Sequence, residues 1–415
     1  MAVESVADFN ANFKPQFLDK GLQDVRPEYT VIMSSVPFVK DSERAGTELK
    51  WPVQLSYEHG FTAHGSQGEI LDLRAATVSK QQQASVAPFA FSGRTQISEV
   101  LLKRAQGNAQ SFSKALQYKI KMLQDSMVLM MEQTHLYGQT GLGTVTSASG
   151  NVITILSASY ADHVWMGSEA MPIEIRTADG VLRGTANITT YDNELETITV
   201  DSIPAGVVAT DVIWRAGFYG NEGPGLDKIL ASSTGSLFGI PHAGAPLWKA
   251  NQFAVGGLLS FQKVAEGVSK AVGRGLAEKL VLHVHPQVFA TLMPDYNALK
   301  ATGADFKSRI FSTSKEVERM AHGTFGITFL VGSVEVVLLA NPFIRKGVAY
   351  GVADGELMRC GSTSITYQSS NSSEGENYLR TLDNSAAYEL RCFADEALFS
   401  TTLAKHIRFS GISLS

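Results

Sequence analysis

QSFSKALQYKIKMLQDSMVLMMEQTHLY, residues 110–137, is the stretch on which the fold turns. Phe112, Leu116, Ile120, Leu123, Met127, Met130 and Met131 recur at spacings of three and four, so on a helix they share a stripe about 100° wide. Lys114, Lys121, Asp125 and Glu132 fall opposite it, and Lys121 and Asp125, one turn apart, can pair weakly. At about 1.5 Å rise per residue such a helix spans about 42 Å. Gly138 and Gly141 stop it. A helix this long with one apolar stripe has to lie along something extended, such as a sheet.

Upstream, residues 46–97 read as a long hairpin. Thr47 to Tyr57 alternates in polarity, Glu58 to Gly68 is rich in turn formers, and Ser85 to Ser92 is strand-like again. The run Ser79 to Ser85 is too polar for a core. A hairpin of this length is marginal alone and needs something to lie on. Residues 1–45 have little periodicity and cannot bury enough surface to offset their ordering entropy. They read either as a frayed terminus or as an arm that orders on a neighbouring subunit.

Downstream, short strand patterns follow closely at 152–156, 171–176, 186–191, 197–200 and 211–215, with turn signals at Ala178-Asp-Gly180 and Pro204-Ala-Gly206. No helix pattern intervenes. Residues 144–216 are therefore expected to form a small all-β unit, a barrel or a sandwich, inserted between helical regions. Residues 217–248 are Gly-rich and irregular, and 252–274 read as a helix. Residues 279–285 read as a buried strand, and Pro286 opens a helix through Leu292. Strands are expected at 326–331, 334–339, 349–352, 362–368, 386–394 and 398–409. Mixed this way, the elements indicate an α+β class.

The chain has 415 residues, 44% of them hydrophobic, enough for a sizeable core in two or three domains. Only 18% are charged, and the net charge is −5, which excludes the strong basic excess of a protein that grips nucleic acid tightly. Cys360 and Cys392 are too few for a disulfide framework and suit a reducing cytoplasm. The start lacks the basic and apolar regions of a signal peptide, and no apolar run approaches a membrane span. A soluble chain, made inside a cell and without a membrane partner, is expected.

Enzymatic readings lose their usual entry points, because the Walker, zinc-protease, CxxC and nucleophile-elbow motifs are all missing. Glu132 and His135, three apart, resemble half of a di-iron site, but a solvated helix end is the plainer reading. His283 and His285 alternate on a strand and could share a metal; buried or interface histidines are the plainer reading. Asp395-Glu396 reads as surface charge, and Gly220 to Gly225 as a hinge, since no Lys-Ser or Lys-Thr follows it to open a helix. No catalytic, cofactor or metal site is expected.

The order of these elements resembles the major capsid proteins of tailed bacteriophages, the Hong Kong 97-type fold. Gly225-Leu-Asp-Lys-Ile-Leu230, Gly239-Ile-Pro241 and Pro246-Leu-Trp248 are similar to the segment entering that family's axial domain. Leu280 to Phe289 is similar to a strand entering a helix there, and Pro342 to Tyr350 with Met358-Arg-Cys-Gly361 resembles its late strands. The resemblance assigns 1–45 to the N-terminal arm and 46–97 to the extended E-loop. It assigns 98–143 with 346–415 to a peripheral domain bearing the spine helix, and 217–345 to the axial domain. The β unit at 144–216 is an insertion of a kind that occurs in the family, often on the outer surface.

What the resemblance implies is a structural subunit that forms pentamers and hexamers of an icosahedral head around double-stranded DNA. It further implies a separate scaffolding protein, a portal, and a decoration or cement protein, in a virion assembled in the host bacterial cytoplasm. Trp51, Tyr57, Phe61, Phe89 and Phe91 are the candidate inter-subunit contacts, each worth about 1.5–3 kcal/mol when buried. Lys114 and Lys121 are candidate lumen-facing cations for weak, non-specific contact with packed DNA; a solvated face explains them equally well. Deleting residues 46–97 is expected to leave a folded, assembly-defective protein. Two competing readings are an encapsulin-like nanocompartment shell and, from another class, a soluble metal-dependent enzyme with a β accessory module.

Overall fold

A computed structural model describes residues 32–40, 48–63, 74–100, 109–295, 326–367, 379–382 and 385–414. Most of the expected arm, 1–31 and 41–45, lies outside them. In chain order, helix α1 (Ile32–Ser35) and strand β1 (Phe38–Lys40) lead to the hairpin strands β2 (Leu49–Gln54) and β3 (Gln81–Val86). Strand β4 (Phe89–Ser98) and the long helix α2 (Ala109–Tyr137) follow. The next strands are β5 (Gly143–Ser149), β6 (Val152–Ile155), β7 (Pro172–Arg176), β8 (Leu182–Asp192), β9 (Thr197–Val200) and β10 (Val212–Arg215), with the one-turn helix α3 (Asp162–Trp165) after β6. Then come α4 (Leu226–Ala231), two-residue strands β11 (Ser236–Leu237) and β12 (Ile240–Pro241), β13 (Asn251–Gly257), α5 (Phe261–Val272), β14 (Leu280–Val284) and α6 (Pro286–Thr291). The rest supplies β15 (Gly326–Val331), β16 (Val334–Ala340), β17 (Val348–Ala353), β18 (Leu357–Tyr367), β19 (Leu379–Leu382), β20 (Ser385–Ser400) and β21 (Ile407–Ile412).

Two sheets and a barrel organise these elements. In the five-stranded sheet, the long β20 carries β4 on one edge and β18 and β19 on the other, and β1 adds in parallel outside β18. Helix α2 lies across it. The reason is local: β4 carries Gly93 where a Cβ would touch Cys392 Sγ, Leu123 and Met127, so the helix settles close to the strand. Met127 and Met131 then bury against Phe91, Cys392 and Ala394. The six-stranded sheet runs β13-β21-β17-β14-β16-β15 and packs on α5. Ser260 caps α5 by accepting the Lys263 N–H, and Phe261, Val264, Val268 and Ala271 line its buried face.

The strands of 143–215 close into a six-membered barrel, β10-β5-β6-β9-β8-β7, which decides between barrel and sandwich. Its core is not separate. Ile153, Ile173, Ile198 and Trp165 belong to one apolar cluster with Leu136 of α2, Trp248 and Phe399. A buried charge cluster also ties the parts together. Asp227 of α4 accepts from Arg345 (3.1 Å) and from Arg408 of β21 (2.9 Å), while the Arg345 guanidinium stacks 4.1 Å over Tyr137 of α2.

Several expectations need correction. Residues 251–257 are a strand, not the start of a helix. The left-handed backbone at Gly256 and Gly257 (φ 60° and 140°) separates it from α5, and its partner β21 lies far along the chain. The polar run from Ser79 contains β3: alternation sends Gln81 and Gln83 outward and Ala84 and Val86 into the core, with Gln82 half-buried on the inner face. Ser85 to Ser92 straddles β3 and β4, two strands with different partners. Residues 385–400 are one strand, and 398–409 contain its end, a turn and the start of β21. Strands β17 and β21 join the six-stranded sheet, so the chain after 346 serves both sheets. A helical element, α3, does intervene among the barrel strands.

Gly267 marks where α5 meets β21. A Cβ there would fall on the buried Phe409 ring. Alanine favours a helix by about 1 kcal/mol over glycine, but overpacking a rigid core costs about 1–3 kcal/mol. Gly267→Ala is therefore expected to destabilise by about 1 kcal/mol net, read as a lower urea midpoint.

Candidate functional site: the projecting hairpin and its buried anchor

The hairpin is two-sided in character along its length. At its base, β2 and β3 pair from Leu49↔Val86 to Gln54↔Gln81. Leu49, Leu55, Ala84 and Val86 are buried in the main core. The Ser85 N–H donates to the Phe238 carbonyl (2.9 Å), and Lys80 Nζ to the Gly244 carbonyl (3.2 Å). Beyond residue 55 the character changes. The strands still approach, with the His59 N–H donating to Thr77 O, yet Tyr57, Phe61 and Val78 are 77%, 80% and 81% exposed. Residues 64–73 lie outside the described set.

Of the five aromatic residues expected at contacts with other copies, only Tyr57 and Phe61 are free of the chain's own body. Phe91 is buried on β4 and stacks on Phe218 at 5.8 Å, and Phe89 rests against Gly223. Both sit on the sheet face that α2 covers, because residues two apart on a strand point the same way. Trp51 is half-buried and stacks on Phe399 at 5.1 Å. Lys121 is exposed on α2; the Lys114 side chain is outside the described ones.

The anchor is built on the last third of α2, where residues 131–138 are all buried. Glu132 is no solvated helix end. Its two carboxylate oxygens accept the N–H groups of Ile32 (3.0 Å) and Met33 (2.9 Å), holding α1 against the long helix. One turn on, His135 Nε2 lies 3.1 Å from Glu396, whose other oxygen takes Arg359 at 3.1 Å. Arg359 Nε donates to the Val36 carbonyl (3.1 Å), and its guanidinium covers the Phe38 ring at 5.8 Å. Glu396 is thus fully buried rather than surface charge, while Asp395, one residue before it and facing the other way, takes the Ser362 hydroxyl. The partners are remote in sequence, so no local pattern announces them; the one signal was a helix segment with no clean polar face.

His283 and His285 do not converge. His283 is buried on β14, and burial pushes it down to about 4. His285 lies past the strand end and caps α6, its Nδ1 accepting the Gln287 N–H at 3.1 Å. Its Nε2 lies 3.3 Å from Asp162 of α3, where the barrel meets the six-stranded sheet beside Lys346 and Glu196. Among the described residues, no group of three His, Cys, Asp or Glu is placed to hold a metal ion. The end of the Gly220 to Gly225 run packs on the helix stop: the Gly225 N–H donates to the Gly138 carbonyl (2.8 Å), and a side chain at Gly225 or Gly138 would strike the other segment's backbone.

No family model matches the sequence, and no curated protein matches it. Among solved structures the chain is similar to the capsid of cyanophage A-1(L), at 10% identity over 96% of this chain and 99% of the other, with a TM-score of 0.47. It is similar to the Mycobacterium phage Bobi structure at 9% identity, 99% of both chains and a TM-score of 0.47. It is also similar to the holo-SrpI encapsulin complex of Synechococcus elongatus, at 9% identity over 100% of this chain and 98% of the other, with a TM-score of 0.45.

Proposed function

We propose that this chain is a shell subunit, the major capsid protein of a tailed-phage head, and not an enzyme. The observation that carries the reading is the hairpin. Its base is fixed in the subunit's own core, while its tip holds Tyr57, Phe61 and Val78 almost fully in solvent. Large apolar side chains displayed together on a projecting element mark a contact surface. A neighbouring copy that covers each tip gains about 1.5–3 kcal/mol per side chain, and the many tips of a closed shell add these gains through multivalency.

The rest of the capsid reading follows the same plan. The five-stranded sheet with α2 serves as the peripheral domain, and the six-stranded sheet with α5 as the axial domain, around which five or six copies meet. The barrel is an insertion on the outer surface. Charge supports that side: residues 144–216 hold three Arg and no Lys against nine Asp and Glu, a net of −6, leaving +1 for the remainder of the chain. Packed DNA repels so acidic a module. A scaffolding protein, portal and cement protein complete the head, and contact with DNA is weak and non-specific.

The expected deletion needs revision, because removing 46–97 would also strip β2, β3 and β4 from the core. The test is a shorter cut. Replacing residues 57–78 by a Gly-Ser link is expected to leave the circular dichroism and melting of the subunit unchanged and to abolish shells in electron micrographs. Normal shells from this variant would refute the reading. In the wild-type particle, nucleic acid inside marks a capsid, and enclosed enzyme marks a nanocompartment.

A further inference from the structure

The barrel meets the end of α2 around a small cavity of about 10 Å³, room for one water-sized group. Gln133 and Tyr137 of α2, Trp214 and Arg215 of β10, and Glu222 line it. Arg215 reaches across and donates through Nη2 to Gln133 Oε1 at 2.8 Å, so the last barrel strand holds the long helix. Glu222 shares the cavity and is buried, yet it makes no hydrogen bond to Arg215. It accepts the Gln139 N–H at 2.9 Å, and Gln139, in left-handed backbone (φ 63°) just past the helix, returns its side chain to the Glu222 carbonyl.

A buried carboxylate with one amide donor and no bonded cation favours its neutral form. The other charges around it are already engaged. Glu174 of β7 binds Arg176 at 3.0 Å and accepts the Tyr219 N–H. Tyr137 donates its hydroxyl to the Phe343 carbonyl beneath Arg345. Arg215 alone has a choice, between a neutral amide on the helix and a carboxylate on the exit segment.

We propose that this joint is a proton-operated switch: with Glu222 protonated, Arg215 stays on Gln133 and locks the barrel to the long helix, and with Glu222 ionised, Arg215 swings across the cavity to it. One proton on one carboxyl is the whole chemical change. It converts an acceptor-only anion into a neutral acid and removes the charge that draws the guanidinium. Burial pushes Glu222 up to about 7, against the opposing pull of the Gln139 N–H and of Arg215. The switch therefore works near neutrality. It goes beyond the shell reading and does not depend on it.

Trp214 lines the same cavity and reports on it. The test is a fluorescence titration of the full-length protein from pH 5.5 to 8.5, with W214F subtracted to isolate that ring. Wild type is expected to show a Trp214 transition with a midpoint near 7. E222Q, which imitates the neutral acid and keeps the acceptor for Gln139, is expected to lose the transition and stay at the acid-side signal. Q133A removes the competing anchor and is expected to move the midpoint to lower pH. A wild type without the transition, an E222Q protein that keeps it, or an unshifted Q133A midpoint would each overturn the proposal. Q133A decides the matter if E222Q does not fold.

Discussion

Glu396→Ala is expected to cost about 3–5 kcal/mol, the range for removing one partner from a buried ion pair. The loss is not of a contact alone. Glu396 is fully buried on β20 and serves both His135 of α2 and Arg359 of β18. Without it, the Arg359 guanidinium stays buried beside the Val36 carbonyl and the Phe38 ring, with its charge uncompensated. The guanidinium must then drag water into the sheet or turn away, and turning away releases residues 32–40. Two signals should move together: a lower urea midpoint and new protease cleavage within 32–40. Glu396→Gln keeps the shape and one acceptor, so it should cost less than the alanine. Glu132→Ala should give the same cleavage, because it uncovers the buried N–H groups of Ile32 and Met33 that hold α1 to the long helix. A Glu396→Ala protein within about 0.5 kcal/mol of wild type, the scatter of an ordinary surface change, would show that the cluster anchors nothing.

That cluster also shows where the sequence could be read and where it could not. The long helix was legible to within a residue, because its period is local and its stops are glycines. Strands such as 197–200 and 326–331 were legible for the same reason. What failed was whatever needed a partner far along the chain. Glu132 sits opposite the helix's apolar stripe, so periodicity sends it to solvent; the segment at 32–33 covers it instead. Phe89 and Phe91 follow the hairpin directly, and only the pairing of β4 with β20 turns them inward. Residues 251–257 sit next to a strongly amphipathic helix and were absorbed into it, although their backbone belongs to β21. Of the hairpin, the exposed stretch 57–61 was readable from its turn formers. The burial of Ala84 at its base was not, because it is a small residue in a polar run.

Acid is expected to unfold the subunit well before its carboxylates are titrated, and the buried histidines are the cause. Burial holds both His283 and His406 down to about 4, against 6.5 for an exposed ring. His283 Nδ1 has no hydrogen-bond partner among the described residues. His406 accepts the Ala353 N–H on Nδ1 (3.0 Å), so its Nε2 proton goes to Ser400 Oγ (2.7 Å), and a second proton would set donor against donor. A group whose folded pKa lies below its unfolded one binds more protons unfolded. Its stabilisation is therefore full above pH 6.5 and drains away as pH falls toward 4, roughly 3 kcal/mol for each ring. His163, also held to about 4 by burial but partly exposed, adds a smaller amount of the same sign. Glu222 works in the opposite sense. Raised to about 7, it favours the folded state in acid, and that favour is lost as pH rises through neutrality. The two trends place maximum stability near pH 6–7, with a steep fall below 6. Urea midpoints of the unassembled subunit at pH 8, 7, 6, 5 and 4.5 would trace this curve. His283→Leu is expected to flatten the acid limb by about a third to a half, since among the described residues it removes one of the three histidines that burial holds down to about 4. An acid limb equally steep in His283→Leu and wild type would mean that the fold yields to acid elsewhere.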